Sequence, residues 1–497
     1  MELIWNEINA VRLASRGTEQ TELEGTLPPP QGRSVAEILD YTAEVGVDSC
    51  RTEDGRLTAT GRITAKLIAS DESGERYAFT SGSTFSHTVS DPAIEAGMSA
   101  QVLPRLAQLS VRRATDGRIM LSAAVDMDYS VTTTAPLRVL SGVAGVSDME
   151  IKTETLEHSR RVELGSSMLH LSEELSESGA ESVLSHSIAL SVRDTAFENG
   201  GVTVGGIAEI AIIAKSAEGE PVQITRSLPF RENVATDGSA DEVFAVAELR
   251  SSDARALGTE FSLISVDADI ELRVFALRRG RLTLPLDAFS PSINFSCIKS
   301  KTELISCLGG ADSAHTLREN LSVPEGLSDI FSTVSVHALP ILTSKSLRGG
   351  EASIEGLLMT RLIYRAASGR LYAFNEDVPF SLRTGAPEGA TDADIRLGCT
   401  ATVTGGSARS AQITYNIGVS AEFFRTAEAE TVVGLAENAA DSSIEALPTG
   451  LIIHTADEGD GVFDIARRFR IPSSRILELN PQLKDGLRGG DKVLLIV

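Results

Sequence analysis

Cysteine and basic charge are both scarce in this 497-residue chain, and each shortage excludes something. The four cysteines, Cys50, Cys297, Cys307 and Cys399, form no C-x-x-C pair and no regular framework. That argues against a disulfide-built scaffold or a zinc ribbon and for reduced thiols in a cytosolic setting. Only 45 Lys and Arg stand against 69 Asp and Glu, leaving a net charge of −24. A polyanion of this kind is not expected to use nucleic acid or an anionic membrane as its main partner. No run approaches the ~20 apolar residues of a membrane helix. The first residues, Met1-Glu-Leu-Ile-Trp-Asn-Glu7, carry neither a basic nor an apolar export region. Hydrophobic residues still make up 42% of the chain, which is enough for folded cores, and the length calls for roughly three or more domains.

What is present is a repeat. Gly55, Gly61, Gly74 and Phe85 reappear as Gly200, Gly206, Gly219 and Phe230, and again as Gly350, Gly356, Gly369 and Phe380. Each set reads G-x5-G-x12-G-x10-F, with offsets of 145 and then 150 residues. Between Leu57 and Leu67 every odd position except Gly61 is apolar and every even one polar. A period of two places the odd set on one face of a strand. Gly61 inside it marks a bulge or a close backbone approach. Ser73-Gly74, Glu218-Gly219 and Ser368-Gly369 supply the positive φ of a hairpin reversal. A second alternating strand follows in each unit, led by Leu121, Ile264 and Ile413. The expected fold is mostly β: three repeated antiparallel sandwich- or barrel-like modules, then a small α+β domain.

Breaks in the pattern divide the chain into an extension at 1–30, repeats at 31–178, 179–327 and 328–426, a linker at 427–449 and a tail at 450–497. The extension is read as poorly packed or as a strand donated to the first unit. Residues 313–323 are read as a short helix. The tail changes rhythm. Leu451 to His454 reads as a strand, and Asp460 is placed as an N-cap. Val462, Ile465, Ala466 and Phe469 then form one helical face. Ser473 opens a second helix that Asn480-Pro481 stops, and Lys492 to Val497 closes as a strand, giving β-α-α-β. Seven acidic and seven basic side chains make this tail neutral, so the whole −24 lies in 1–449.

The tail resembles a LysM module through His454-Thr455, Glu458-Gly459-Asp460, Ile465-Ala466, Phe469, Leu479-Asn480-Pro481 and Leu487-x-x-Gly490-Asp-Lys-Val-Leu. The resemblance implies a groove made of Gly459, Asp460, Gly461, Val462, Asn480, Pro481, Gln482 and Leu483, which in typical members holds glycans containing N-acetylglucosamine. Here Gly461-Val462-Phe463 replaces the usual Thr and Leu-Trp. The missing hydroxyl counts against a sugar; Phe463 and Leu483 become the expected exposed apolar contacts, with packing under the first helix as the alternative for Phe463. Three such repeats ahead of LysM are similar to the SipL-type spore morphogenesis family, with its SPOCS repeats. That resemblance implies a non-enzymatic scaffold in the mother-cell cytoplasm at the forespore surface, with LysM docking the coat-basement ATPase SpoIVA. A wall- or cortex-associated protein that binds peptidoglycan or chitin-like glycan is the alternative.

No G-x-S-x-G elbow, H-E-x-x-H pair or Walker loop occurs, and no cofactor or metal is expected. Gly201 to Gly206 lies inside a repeated strand, the wrong context for a phosphate cradle. Asp267 and Asp269 share a strand face and are read as solvated. The seven histidines are scattered singly.

Overall fold

A computed structural model describes residues 2–176, 180–198, 200–216, 219–238, 240, 242–257, 263–437 and 450–496. The body is almost wholly antiparallel strand. Its first unit runs through β1 (Leu3–Ile8), β2 (Arg12–Leu27), β3 (Glu37–Glu53), β4 (Arg56–Ser70), β5 (Arg76–Ser90), β6 (Ser99–Arg113), β7 (Ile119–Thr133) and β8 (Leu137–Val143). The second contains β9 (Glu150–Ser176), β10 (Ala180–Glu198), β11 (Gly201–Ser216), β12 (Pro221–Ala235), β13 (Val243–Leu257) and β14 (Leu263–Phe289). The third contains β15 (Phe295–Ser322), β16 (Ser332–Arg348), β17 (Glu351–Arg365), β18 (Leu371–Gly385), β19 (Asp392–Ser407) and β20 (Ser410–Glu437).

Each unit is a six-stranded sandwich. One layer is a meander, β3-β4-β5, β10-β11-β12 or β16-β17-β18. The other places the last strand between the first and fifth, as in β2-β7-β6, β9-β14-β13 and β15-β20-β19. The inward faces are the alternating residues of the central strands, for example Leu121, Ala123, Val125, Met127 and Val131 in the first unit, all buried.

The repeat has a physical cause. Gly61, Gly206 and Gly356 pair directly with Phe85, Phe230 and Phe380. A Cβ on any of them would lie 2.1–2.5 Å from a carbonyl oxygen of the preceding strand and within 2.7 Å of the phenylalanine ring. The preceding strand carries a bulge beside each glycine, at Val47/Ser49, Val192/Asp194 and Leu342/Ser344. The aromatic ring therefore covers a spot that only glycine leaves open. Gly55, Gly200 and Gly350, with φ near 80°, make the turns before these strands.

Strand pairing redraws the expected boundaries. β9 and β15 are the first strands of units two and three, so those units begin at 150 and 295 rather than at 179 and 328. β2 pairs with β7 along its length, which fits the donated-strand reading of residues 1–30. Residues 313–323 are strand through Ser322, in register with β20, and not a helix. Tertiary pairing across a hundred residues overrides a weak local period there. Residues 427–437 continue β20 rather than starting a linker, and 438–449 lie outside the described residues.

The three units close around a pseudo-threefold axis. Ile68, Ile213 and Ile363, spaced like the glycine ruler, meet in one buried cluster with Leu39, Leu184 and Val334. The first meander strand of each unit packs on the meander of the unit before it in the ring: β10 on β4 and β5, β16 on β12, and β3 on β17 and β18. Each seam also has a polar tie. Arg361 donates to the carbonyls of Leu39 (2.7 Å) and Ile38 (3.1 Å). Arg76 donates to that of Gly219 (2.6 Å). Gln223 accepts from the Val336 N–H (2.9 Å) and donates to its carbonyl (3.1 Å).

Beyond the sandwiches the first and last strands of each unit extend as two-stranded ribbons: β1 with β8, and the outer halves of β9 with β14 and of β15 with β20. They pack into a common stem, where Ala10 and Val139, Leu282 and Leu284, and Leu304 and Ala429 share one core. His158 sits buried within it. Its Nε2 accepts from the Val11 N–H (3.4 Å), so the ring proton is on Nδ1 and faces Ser306 Oγ at 3.0 Å. Residues of all three units thus meet at one imidazole. Burial, with the charges of Arg160 and Arg425, holds its pKa below the ordinary value.

Two expectations follow. Ile68→Ala, Ile213→Ala and Ile363→Ala should each lower the unfolding free energy by about 2–4 kcal/mol in urea titrations, with the body still unfolding in one transition. A separate early transition confined to the mutated unit would show that the units are held independently. For His158, the unfolded chain takes up the proton that the native stem refuses. Its stabilising contribution is therefore complete above pH ~6.5 and is lost as pH falls from there toward the depressed native pKa. His158→Gln should reduce the loss of stability as pH falls below about 6.5. It leaves the slope from half-buried His186 and His315, whose pKa values burial also lowers, and the opposing slope from Asp312, raised to about 6 by burial. An unchanged slope would remove His158 from the stem's acid response.

Candidate functional site: the C-terminal head

The tail folds as expected, with β21 (Leu451–Thr455), α1 (Val462–Phe469), α2 (Ser473–Leu479) and β22 (Lys492–Ile496). Its core is Ala456, Ile465, Ala466, Ile471, Ile476, Leu483, Val493 and Leu495, joined by Phe289 from the body. The first helix is capped one residue later than Asp460. Gly461 is the N-cap, and the Asp464 carboxylate accepts from its N–H at 2.9 Å. Arg470, at φ 55°, ends the helix in the left-handed region and donates to the carbonyls of its last turn.

The head is clamped to the tip of the second ribbon. Phe463 meets Phe289 edge-on, with ring centroids 5.2 Å apart. Arg467 pairs with the buried Asp287 carboxylate, and Lys152 with Asp464 at 3.0 Å. Burial works to raise the Asp464 pKa, but the Lys152 ammonium and the Gly461 N–H outweigh it and hold the carboxyl below its usual range. The Glu150 carboxylate accepts from the Ser473 backbone N–H (2.7 Å) and from its hydroxyl. Ser473, read from the sequence as the cap, is instead the first helical residue after the N-cap Pro472, and a body carboxylate satisfies its N–H.

These contacts sort the predicted groove. Gly459, Pro481 and Gln482 are exposed; Asp460, Gly461, Val462 and Phe463 are half-buried. Phe463 is turned to the body. Leu483 is a core residue, 4% exposed, which corrects its expected role as an outward contact. The one-turn helix at Pro481–Asp485 folds it inward against the helices. Asn480 is buried and works as a clasp. Its amide donates to the carbonyls of Ile476 (2.8 Å) and Leu494 (2.7 Å) and accepts from the Leu494 N–H (2.8 Å). Its side chain is fully spent inside the module.

Sequence reasoning missed the other face of the sheet. Leu451 pairs with Ile496, Ile453 with Leu494 and Thr455 with Lys492, so these six side chains share the side away from the helices. Leu451 is 68% exposed and Ile453 65%. The signal was present, because aliphatic residues occupy both faces of a strand whose partner helices can cover only one.

Elsewhere, Asp267 accepts from Ser172 (2.6 Å) and Asp269 from Ser251 (2.6 Å), and both carboxyls are held low, first by those hydroxyl bonds. All four cysteines are free thiols, and Cys297, Cys307 and Cys399 are pushed up to about 11, 12 and 12 chiefly by burial. Among the described residues no cluster of His, Cys, Asp or Glu is placed to hold a metal, and no helix is long and apolar enough to cross a membrane. No family model, curated protein or solved structure matches the chain.

Glu150→Ala should leave the Ser473 amide and hydroxyl without their acceptor. Hydrogen exchange there is expected to quicken, with a loss of about 1 kcal/mol in local stability. Unchanged protection would mean that the cap does not hold the helix.

Proposed function

We propose that the chain is a non-enzymatic scaffold whose three-unit body presents the LysM head to a protein partner. In the spore-assembly setting implied by the SipL-type resemblance, that partner is the coat ATPase SpoIVA, and the site of action is the mother-cell cytoplasm at the forespore surface. The observation that carries this reading is the aliphatic outer face of the head, formed by Leu451, Ile453 and Ile496. Such a face suits a protein surface, since burying each side chain contributes roughly 1.5–3 kcal/mol. It has no aromatic ring on which a sugar could stack.

The groove supports the same reading from the other side. Asn480 and Leu483 are used inside the module and Phe463 against the body, leaving a sugar mainly backbone and the Gln482 amide. Glycan binding remains the second reading because Gly459, Pro481 and Gln482 are exposed where LysM grooves lie.

The test uses the full chain. Ile453→Glu is expected to weaken capture of purified SpoIVA at least about tenfold, while Gln482→Ala leaves it unchanged. Saturable binding of muropeptides that Gln482→Ala removes, with no capture of SpoIVA, would overturn the proposal in favour of the glycan.

A further inference from the structure

The seam between the three units holds an open cleft of about 540 Å³, inside the size range of small-molecule sites. Every unit contributes to it: β3 and β6 from the first, β13 from the second, β16 and β19 from the third. Its exposed lining is about half apolar, with Val45, Val102, Leu249, Leu339, Pro340 and Ile395 among the aliphatic residues. Five charged side chains also reach it: Glu44, Arg105, Glu248, Arg250 and Arg396.

Four of the five are satisfied by the protein. Lys66 pairs with Glu44 at 2.8 Å. Arg105 donates to Asp128 at 2.7 Å and to the Leu342 carbonyl at 3.3 Å. Arg250 sits 2.9 Å from Glu248 and also pairs with Glu271, and Arg273 approaches Glu248 at 3.4 Å. The Arg396 guanidinium is different. Its nearest carboxylate oxygen, on the shared Glu248, is 3.9 Å away, and it has no hydrogen-bonded acceptor among the described residues. The Asp312 carboxyl is the other acid whose field reaches it. A part-exposed arginine whose donors have no protein acceptor among the described residues, beside aliphatic side chains in the same cleft, offers a head-group contact.

We propose that this seam cleft binds an amphipathic anion, an aliphatic chain ended by a carboxylate or phosphate, with the head group on Arg396 and the chain against the aliphatic side chains. The occupant would touch all three units at once and so lock the ring. Because the protein carries −24 overall, the attraction is one of contact rather than long-range steering.

Gly46 gives a clean way to close the site. It lines the cleft, and a Cβ added there meets nothing within 4 Å, so Gly46→Phe should fill the space and keep the strand. The experiment is calorimetric titration of the full chain with decanoate, decyl phosphate and decanol, each below its micelle concentration. At least one anion is expected to bind saturably, one per chain, with decanol at least about tenfold weaker. Arg396→Gln should weaken the anion by a similar factor and Gly46→Phe should abolish binding, both with an unchanged melting temperature. The tighter of the two anions names the head group, and either order supports the site. Failure of both anions to bind, binding that survives Gly46→Phe, or decanol binding as tightly as the anions would overturn it. The outcome is independent of whether the head captures SpoIVA.

Discussion

The structure depends on a corner that no single unit can cover. Each sandwich carries an isoleucine near the end of its central meander strand, Ile68, Ile213 or Ile363, and all three are buried in one cluster to which every unit contributes. An isolated unit would expose that corner together with the first strand of its meander. Contacts of this head-to-tail kind make filaments when the copies are separate molecules and the rotation does not close. Here the copies are joined in one chain and the ring shuts on the third. The same logic continues into the stem, where three ribbons, each too narrow to bury anything alone, share the cores around Leu282 and Leu304 and around Leu140, Ala288 and Val432.

The head breaks this symmetry. Only the tip of the second ribbon carries Glu150, Lys152, Asp287 and Phe289, so a body with three equivalent sides receives one C-terminal head in one orientation. The clamp mixes an aromatic contact, ion pairs and a helix cap. Ion pairs at half-exposed positions add little net energy, and their value lies in geometry. The aromatic pair supplies the adhesion, while Glu150 and Asp287 fix the angle at which the sheet face of the head points away from the body. That angle decides which part of the module a partner can reach.

Much of this was legible in the sequence, and what was legible was local. The glycine and phenylalanine ruler reports a contact between neighbouring strands, Gly61 with Phe85, so its spacing survives in the sequence. The strand and helix periodicities of the tail are likewise set within a few residues. The first strand of each unit was not legible. β9 and β15 find their partners about a hundred residues later, and their outer halves, such as Lys299 to Glu303, are polar enough to read as loop. The clamp was hidden for the same reason, since Glu150 and Ser473 are brought together only by the finished fold. Leu483 was misplaced because a groove position in a family pattern does not say which way the side chain turns. Arg396 left no trace either, since an unsatisfied donor is defined by what surrounds it.

The polar ties at the seams answer a problem that the apolar axis cannot solve. Isoleucines at equivalent positions attract one another equally, so they cannot tell the second unit from the third. The ties are different at every seam: Arg361 with the carbonyls of 38 and 39, Arg76 with Gly219 and Glu220, and Gln223 with both backbone groups of Val336. Arg16 bridges Asp392 (2.7 Å) and Asp394 (2.8 Å), and Arg161 joins Glu422 (2.6 Å) to Gln101 (2.9 Å), each in a single copy. A wrong neighbour would leave such groups desolvated and unpaired, which costs more than a correct pair returns. Aliphatic burial therefore supplies the energy of the ring, and these unrepeated donors supply the order in which it closes.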